Sequence, residues 1–341
     1  MPSGLERAAM RITIITPSLN QAEHLRACLA SVREQEGVEV EHIVVDGGST
    51  DGSVGILSAS AQGLAWWCSE KDRGQSHAIN KGLARATGDV IGWLNSDDEL
   101  LPGALRRVKE VFEAHASAMV VCGRRRLQHG DGRSERSPLE GNWRGEAMFT
   151  HPHVNQQATF YRTAVVRGVG GVDEALHYVM DLELWWRVLI AYGPKAVSSV
   201  DSELALFRLH PAAKTASAPG AFQMETAALL REMAAATGSG SVVELIERAY
   251  GTGGKTRAWS LSPEQAPLVR RMVIHFLLKW HGAVRNRTEF ELMRAMMRRL
   301  APSTDEVDAT LKERWITAQQ TVRDGSWFLH RVRRKWRTWR A

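Results

Sequence analysis

Short β-branched runs alternate with segments of helical periodicity over the first two hundred residues, and this alternation sets the fold class. Ile12-Thr13-Ile14-Ile15-Thr16 is a run suited to a buried strand, and Leu25, Leu29 and Val32 then recur at helical spacing. Val40 to Val45, Leu64 to Cys68, Val90 to Leu94 and Met119 to Cys122 repeat the strand signal. Helices are expected over Gln75 to Ala86, stopping near Gly88, and from Pro102 to His115. Gln157 to Tyr161 and Glu203 to Leu209 read as further strands, with a helix over Asp181 to Ala191 between them. Strands and helices taking turns in this way predict a mostly parallel α/β sheet. Residues 124–150 are polar and Gly-rich and are expected to form a long mobile loop.

After Pro219 the strand signal stops. Helical segments follow near 222–236, 241–250, 264–282, 287–300 and 305–322, so a boundary is placed near 215–220. Charge changes at the same place. Residues 1–210 hold 22 Lys and Arg against 26 Asp and Glu, whereas 211–341 hold 22 against 12. A basic rear part suits an anionic partner. The three cysteines, Cys28, Cys68 and Cys122, form no CxxC pair, which argues against a zinc ribbon or disulfide scaffold. No apolar run approaches the roughly 18–20 residues of a membrane span, and MPSGLERAAMR lacks a signal peptide's apolar core. A cytoplasmic setting is expected.

In an open parallel sheet, ligands bind beyond the carboxyl ends of the strands. Three polar clusters fall at such ends: Thr16 to Asn20, Asp46 to Asp51, and Asn95 to Asp98. Each alone is ordinary turn chemistry. Together on one sheet edge they describe a shared site. Paired carboxylates there suit magnesium or manganese bound with a phosphorylated substrate, where the ion offsets charge on a departing diphosphate. The turn after the first strand reads TPSLNQ, without the glycines of a dinucleotide-binding site.

The stretches TPSLNQAEHLRACLASV, EHIVVDGGSTDGS, SEKDRGQSHAINKGLARATGDVIGWLNSDDELLPGAL, NQQATFYR and GGVDEALHYVMDLELWWRV resemble, in that order, the family 2 glycosyltransferases. The resemblance covers residues 11–215 and implies the GT-A nucleotide-sugar-binding fold. It implies an inverting, metal-dependent transfer from a nucleotide-diphosphate sugar to an acceptor hydroxyl, with Mg2+ or Mn2+ as cofactor. The implied setting is bacterial surface or exported polysaccharide assembly, on a saccharide or lipid-linked saccharide acceptor.

Position by position, the resemblance puts Pro17, Ser18 and Asn20 in the nucleotide pocket and Asp46 on the base. It puts Asp72, Gly74, Asn80 and Lys81 in the donor-binding segment, Asp97 on the ribose and at the metal, and Asp98 on the metal. Asp181 matches the general base, although its neighbour is Met180 where the family has Glu. Glu183 is the fallback carboxylate and is assigned, with Trp185, to the acceptor side; one of Trp185 and Trp186 is expected in the core. His210 is expected near the diphosphate. His77 stands where many relatives carry Asp, and it reads either as a helix-surface histidine or as a donor contact.

Residues 1–10 read as an N-terminal tail, 216–325 as a helical region and 326–341 as a basic amphipathic tail. Trp327, Phe328, Leu329, Val332, Trp336 and Trp339 form a stripe at helical spacing among six basic residues. Such a helix suits either an anionic membrane surface, as a peripheral protein on the inner face of the cytoplasmic membrane, or packing on its own domain. A noncatalytic sugar-nucleotide scaffold is the alternative function. A nucleic-acid partner is not expected, because the front half is net acidic and carries no nucleic-acid motif.

Overall fold

The computed structural model describes residues 10–137, 144–152, 154–210, 213–214, 218–251 and 257–338. Two compact units divide the chain: residues 1–145 with 152–222, and residues 146–151 with 223–341. Residues 1–9 and 339–341, which include Trp339 of the tail stripe and the basic Arg340, lie outside the described residues, as do the side chains of Trp336 and Arg337.

The first unit is built on one sheet. Its strands are β1 (Arg11–Ser18), β2 (Glu39–Asp46), β3 (Trp66–Ser69), β4 (Val90–Trp93), β5 (Glu99–Leu100), β6 (Val120–His129), β7 (Ser134–Arg136), β8 (Thr159–Arg162) and β9 (Val197–Leu209). Their order is β3-β2-β1-β4-β8-β6-β9-β5, with β7 paired to β6. The first four strands in that order run parallel. β8 is antiparallel to both β4 and β6, and β6 and β9 are parallel to each other. The α/β expectation therefore holds, with an antiparallel strand set into the parallel sheet.

Helices α1 (Ala22–Arg33), α2 (Ser53–Ser60), α3 (Gln75–Arg85) and α4 (Ala104–Ala114) connect the early strands. Ile12, Ile14 and Ile15 of β1 are all buried, as expected for a strand covered on both faces. Ile12 and Ile14 belong to a core with Val108 and Phe112 of α4. Ile15 instead meets α3, where Gly82 permits the approach: a Cβ there would lie 2.6 Å from Ile15 Cγ2. That contact fixes the height of α3 above the sheet and hence the place of its first residues.

The first part of the expected loop over 124–150 is a hairpin of two strands. β6 continues to His129 and turns back through β7. Three successive arginines hid this, because Arg124-Arg125-Arg126 carries no apolar alternation. Instead, Arg124 pairs with Asp201 and Arg126 with Glu203, while Arg125 between them faces elsewhere. The register shifts on either side of Arg124, an irregularity that re-aims the following side chain.

Short helices α5 (Ala147–Thr150) and α6 (Thr163–Gly168) flank β8 in sequence, and α7 (Met180–Tyr192) precedes β9. A buried clasp holds α7. Arg187 donates from Nε and Nη2 to the Glu183 carboxylate, at 2.5 Å each, and also to the carbonyls of Val169 and Gly171.

The second unit is helical: α8 (Pro219–Ala236), α9 (Gly240–Tyr250), α10 (Ala266–His281), α11 (Arg287–Arg299), α12 (Lys312–Asp324) and α13 (Trp327–Thr338). The opening residues of α8 belong to the first unit. The single helix expected over 305–322 is broken into two 3-10 turns before α12. Ser303 with Glu306, and then Asp308, cap those turns and restart the chain twice. Segment 146–151 belongs with this unit, and α5 packs on α10. The Arg271–Glu146 ion pair and a hydrogen bond of 3.1 Å between Nδ1 of His275 and Nδ1 of His151 join them.

The clasp predicts a stability loss without a chemical role. Glu183→Ala leaves Arg187 buried without its carboxylate, which costs about 3–5 kcal/mol. The urea midpoint should fall, while the far-UV circular dichroism of the folded fraction should match wild type. A midpoint equal to wild type would show that the pair contributes nothing.

Candidate active site

Strand polarity gathers the polar clusters. β1, β2 and β4 are parallel neighbours, with Ser18 opposite Asp46 and Ile15 opposite Trp93. Their carboxyl ends therefore open on one edge of the sheet. A cavity of about 360 Å³ lies there, lined by Pro17, Ser18, Asp72, Gly74, Gln75, Asn95, Asp97, His177 and Lys214, among others. Ser18 Oγ is buried without a hydrogen-bond partner among the described residues. A buried hydroxyl of this kind marks a place for a polar ligand atom.

A second hollow, of about 110 Å³, is walled by Arg125, Gln156, Tyr178, Met180 and Asp181. It shares Gln75, Asn95, His177, Phe207 and Lys214 with the first. The two spaces are neighbours separated by a few side chains. Gln75 is central to that wall: its amide donates to Asn95 Oδ1 at 2.7 Å and accepts from Lys214 Nζ at 2.8 Å.

Several expected ligand contacts are building elements instead. Asp46 is 0% exposed. Its carboxylate accepts from Gly48 N, Ser49 N, Ser49 Oγ and Ser69 Oγ, so it closes its own turn and does not line the cavity. Asn20, at φ 51°, accepts from Thr50 N and takes Ser49 Oγ on its own N–H, tying the β1 turn to the β2 turn. Asn80 exchanges hydrogen bonds with the backbone of Val172. Lys81 pairs with Glu70 at 2.5 Å. His77 lies on the helix surface and accepts from Arg73 N at 3.3 Å. Asp72 and Gly74 do reach the cavity. Asp72 Oδ1 accepts from Gly74 N, and Gly74 takes φ 118°, a value L side chains rarely adopt.

The two consecutive aspartates separate. Asp97 lines the cavity, with Oδ2 3.1 Å from Nε2 of His210. Asp98 is buried and accepts from Arg208 N. Burial, and then the charge of Asp97, push the Asp98 carboxyl well above the usual range. Of the two residues expected at the metal, Asp97 faces the cavity and Asp98 turns inward. Among the described residues, no group of three or more His, Cys, Asp or Glu forms a ready-made metal site. A single carboxylate such as Asp97 on the cavity wall fits an ion that draws its other ligands from phosphate and water, as magnesium does.

Asp181 stands at the start of α7, in the second hollow. Its Oδ1 accepts from Leu182 N at 2.9 Å. Burial raises its pKa to about 6, and hydrogen bonds and the charge of Arg125 pull the other way. The acceptor-side assignments of Glu183 and Trp185 do not hold. Glu183 is 1% exposed inside the Arg187 clasp, and Trp185 is 2% exposed in the core, as is Trp186.

Sequence reading missed Arg125 and Lys214 as site cations. Arg125 lies over the Phe207 ring at 4.7 Å and interacts with both Asp98 and Asp181. Lys214 Nζ reaches the carbonyl of His177 as well as Gln75. No single-sequence pattern distinguishes Arg125 from the arginines beside it.

Residues 13–168 match the model of the family described as glycosyl transferase family 2. An uncharacterized glycosyltransferase of Mycobacterium tuberculosis (strain ATCC 25618 / H37Rv) is 31% identical over 201 residues, covering 57% of this chain and 74% of that protein. A PGL/p-HBAD biosynthesis glycosyltransferase of Mycobacterium bovis (strain BCG / Pasteur 1173P2) is 31% identical over 167 residues, covering 48% of this chain and 63% of its own. Among solved structures, S. aureus TarS 1-349 in complex with UDP superposes with TM-score 0.59 at 15% identity, covering 96% of this chain and 92% of TarS 1-349. The mannosyltransferase PcManGT from Pyrobaculum calidifontis, in complex with GDP-Man and Mn2+, gives 0.55 at 16% identity, covering 96% and 88%. These likenesses establish the GT-A-like fold. The family model and the aligned relative establish that this chain belongs to glycosyltransferase family 2.

Proposed function

We propose that the chain transfers a sugar, with inversion, from a nucleotide diphosphate to an acceptor hydroxyl. The larger cavity would hold the donor and the smaller hollow the acceptor. Asp181 carries the reading: a carboxylate with a raised pKa stands in a hollow that shares its wall with the cavity at the strand ends.

The acceptor hydroxyl attacks the anomeric carbon as the bond from that carbon to the diphosphate oxygen breaks. The hydroxyl proton passes to the Asp181 carboxylate, and the bonding electrons leave with the nucleoside diphosphate. Lys214 supplies positive charge on the donor side, and Ser18 Oγ a hydrogen bond to a polar donor atom. Backbone N–H groups, and then the charge of Arg125, favour the ionised form of the base. A magnesium or manganese ion held by Asp97 would offset charge on the departing diphosphate.

The proposed setting is bacterial surface or exported polysaccharide assembly, with a saccharide or lipid-linked saccharide acceptor; a bacterial relative named for PGL/p-HBAD biosynthesis supports a biosynthetic role. No helix among the described residues is long and apolar enough to cross a membrane. On this proposal the protein is cytoplasmic and peripheral, with α13 as the element that meets the inner membrane face.

Asp181→Asn keeps the hydrogen bond to Leu182 N but cannot take the proton. Transfer should fall by roughly 10²–10⁴-fold, with nucleotide binding by calorimetry near wild type. Transfer near the wild-type rate would remove Asp181 as base. In wild type, kcat/KM should rise through an acid limb near pH 6, as Asp181 loses its proton, and level off above it. Arg125→Met removes a charge that favours the ionised form, so the limb should move to higher pH. A stationary limb would disconnect the two residues.

The metal assignment separates neighbours. Asp97→Asn should abolish the gain in nucleoside-diphosphate affinity produced by manganese. Asp98→Asn should preserve it, because that carboxylate is buried. Loss of the manganese effect in Asp98→Asn alone would reverse the assignment.

A further inference from the structure

We propose that the helical unit carries a phosphate-binding pocket at the root of α13, and that its occupant is the phosphate of an anionic lipid headgroup. It rests on the reading of α13 as a membrane-surface helix given above and adds a specific ligand to it.

The pocket is a cavity of about 400 Å³ whose wall includes Arg314, Arg333, Arg334, His330, Asp324 and Glu313. Asp324 is already committed. One oxygen takes Arg333 Nη1 at 2.6 Å and the other takes His330 Nδ1 at 2.8 Å. Arg314 directs Nη1 at the carbonyls of Leu278 and Lys279, at the end of α10. A Cβ on Gly282 would lie 2.7 Å from Arg314 Cβ, so glycine there lets the arginine come in. Arg334 Nη1 donates to the carbonyl of Val284. Three guanidinium groups and an imidazole thus line the cavity with two carboxylates, one of them engaged by Arg333 and His330. The excess positive charge calls for an anion, and guanidinium forks match phosphate oxygens.

His330 supplies the second observation. The ring is 4% exposed and lies between Phe290 and Trp327, with centroids 5.4 and 5.9 Å away. Asp324 fixes its Nδ1. Its Nε2 is buried without a hydrogen-bond partner among the described residues, in a ring that forms part of the cavity wall. With Nδ1 donating to Asp324, Nε2 donates to a bound oxyanion in the doubly protonated ring, in which both nitrogens carry a proton.

The rest of α13 points to the source of the phosphate. Trp327 and His330 form its inward side, while Phe328, Leu329 and Val332 are 68%, 47% and 36% exposed. Arg331 and Lys335 are exposed among them. An apolar surface interleaved with cations, on the helix that also walls an arginine-rich cavity, matches a ligand with acyl chains and a phosphate together.

The test uses the full chain, floated with phosphatidylcholine vesicles carrying either phosphatidic acid or oleate at matched surface charge. Wild type should prefer phosphatidic acid several-fold, and inorganic phosphate should compete only on those vesicles. Arg314→Gln with Arg334→Gln should weaken the phosphatidic-acid interaction about tenfold, the scale of one charge-assisted hydrogen bond, and erase the preference. Arg331→Gln with Lys335→Gln should weaken binding to both vesicles while keeping the preference.

Equal wild-type binding to both vesicles, or a preference that survives the Arg314 and Arg334 substitutions, would overturn the lipid-phosphate pocket. If wild type floats with neither vesicle, the membrane reading fails, and inorganic phosphate then decides the pocket by thermal shift. A melting temperature raised by phosphate in wild type supports a pocket for free phosphate, and no rise overturns it. These wild-type arms decide even if the arginine variants do not fold.

Discussion

Asp46 has no contact with water, and its carboxylate is held by two backbone N–H groups and two serine hydroxyls. A charge taken out of water is expensive unless donors replace the lost hydration. That requirement shapes the first unit. It pins the turn after β2 to the end of β3, and Asn20 extends the weld to the turn after β1. Glu183 meets the same requirement through Arg187 and so fixes α7. Asp98 lacks a comparable set of donors, and its pKa rises. The acids left at the cavity walls are Asp72, Asp97 and Asp181, and the proposed chemistry draws on the last two.

The division between building and reacting acids explains how far the sequence could be read. The parallel strands and the polar clusters at their ends were legible, because β-branched runs and turn residues are local signals. Which member of each cluster faces the ligand was not. Asp46, Asn80 and Lys81 are spent on Ser69, Val172 and Glu70, partners that only the folded chain brings near. Asp97 and Asp98 are adjacent in the chain, yet one meets the cavity and the other the backbone of Arg208. Arg125 was invisible for the opposite reason: its neighbours are chemically identical to it. Strand geometry sends them to Asp201 and Glu203 and leaves Arg125 for the site.

The tail shows a mixed outcome of the same kind. Its helical period was plain, but the period alone put Trp327, Phe328, Leu329 and Val332 on one stripe. In the structure Trp327 turns inward with His330, while the other three face out. A histidine and an aspartate six residues apart, Asp324 and His330, rotate the helix about its axis relative to the hydrophobic reading.

The six-residue segment 146–151 sits in sequence inside the sheet-bearing unit yet packs with the helices, where Met148 and Phe149 are buried and Glu146 pairs with Arg271. The polypeptide therefore crosses between the two units more than once. The helical part is not an appendage on a single tether that could be lost or exchanged as a cassette. A shortened chain ending near residue 222 would keep the crossing segment and lose α10, leaving two apolar side chains in water. A chain without the helical part would need a more polar 146–151 segment, because Met148 and Phe149 would lose their cover.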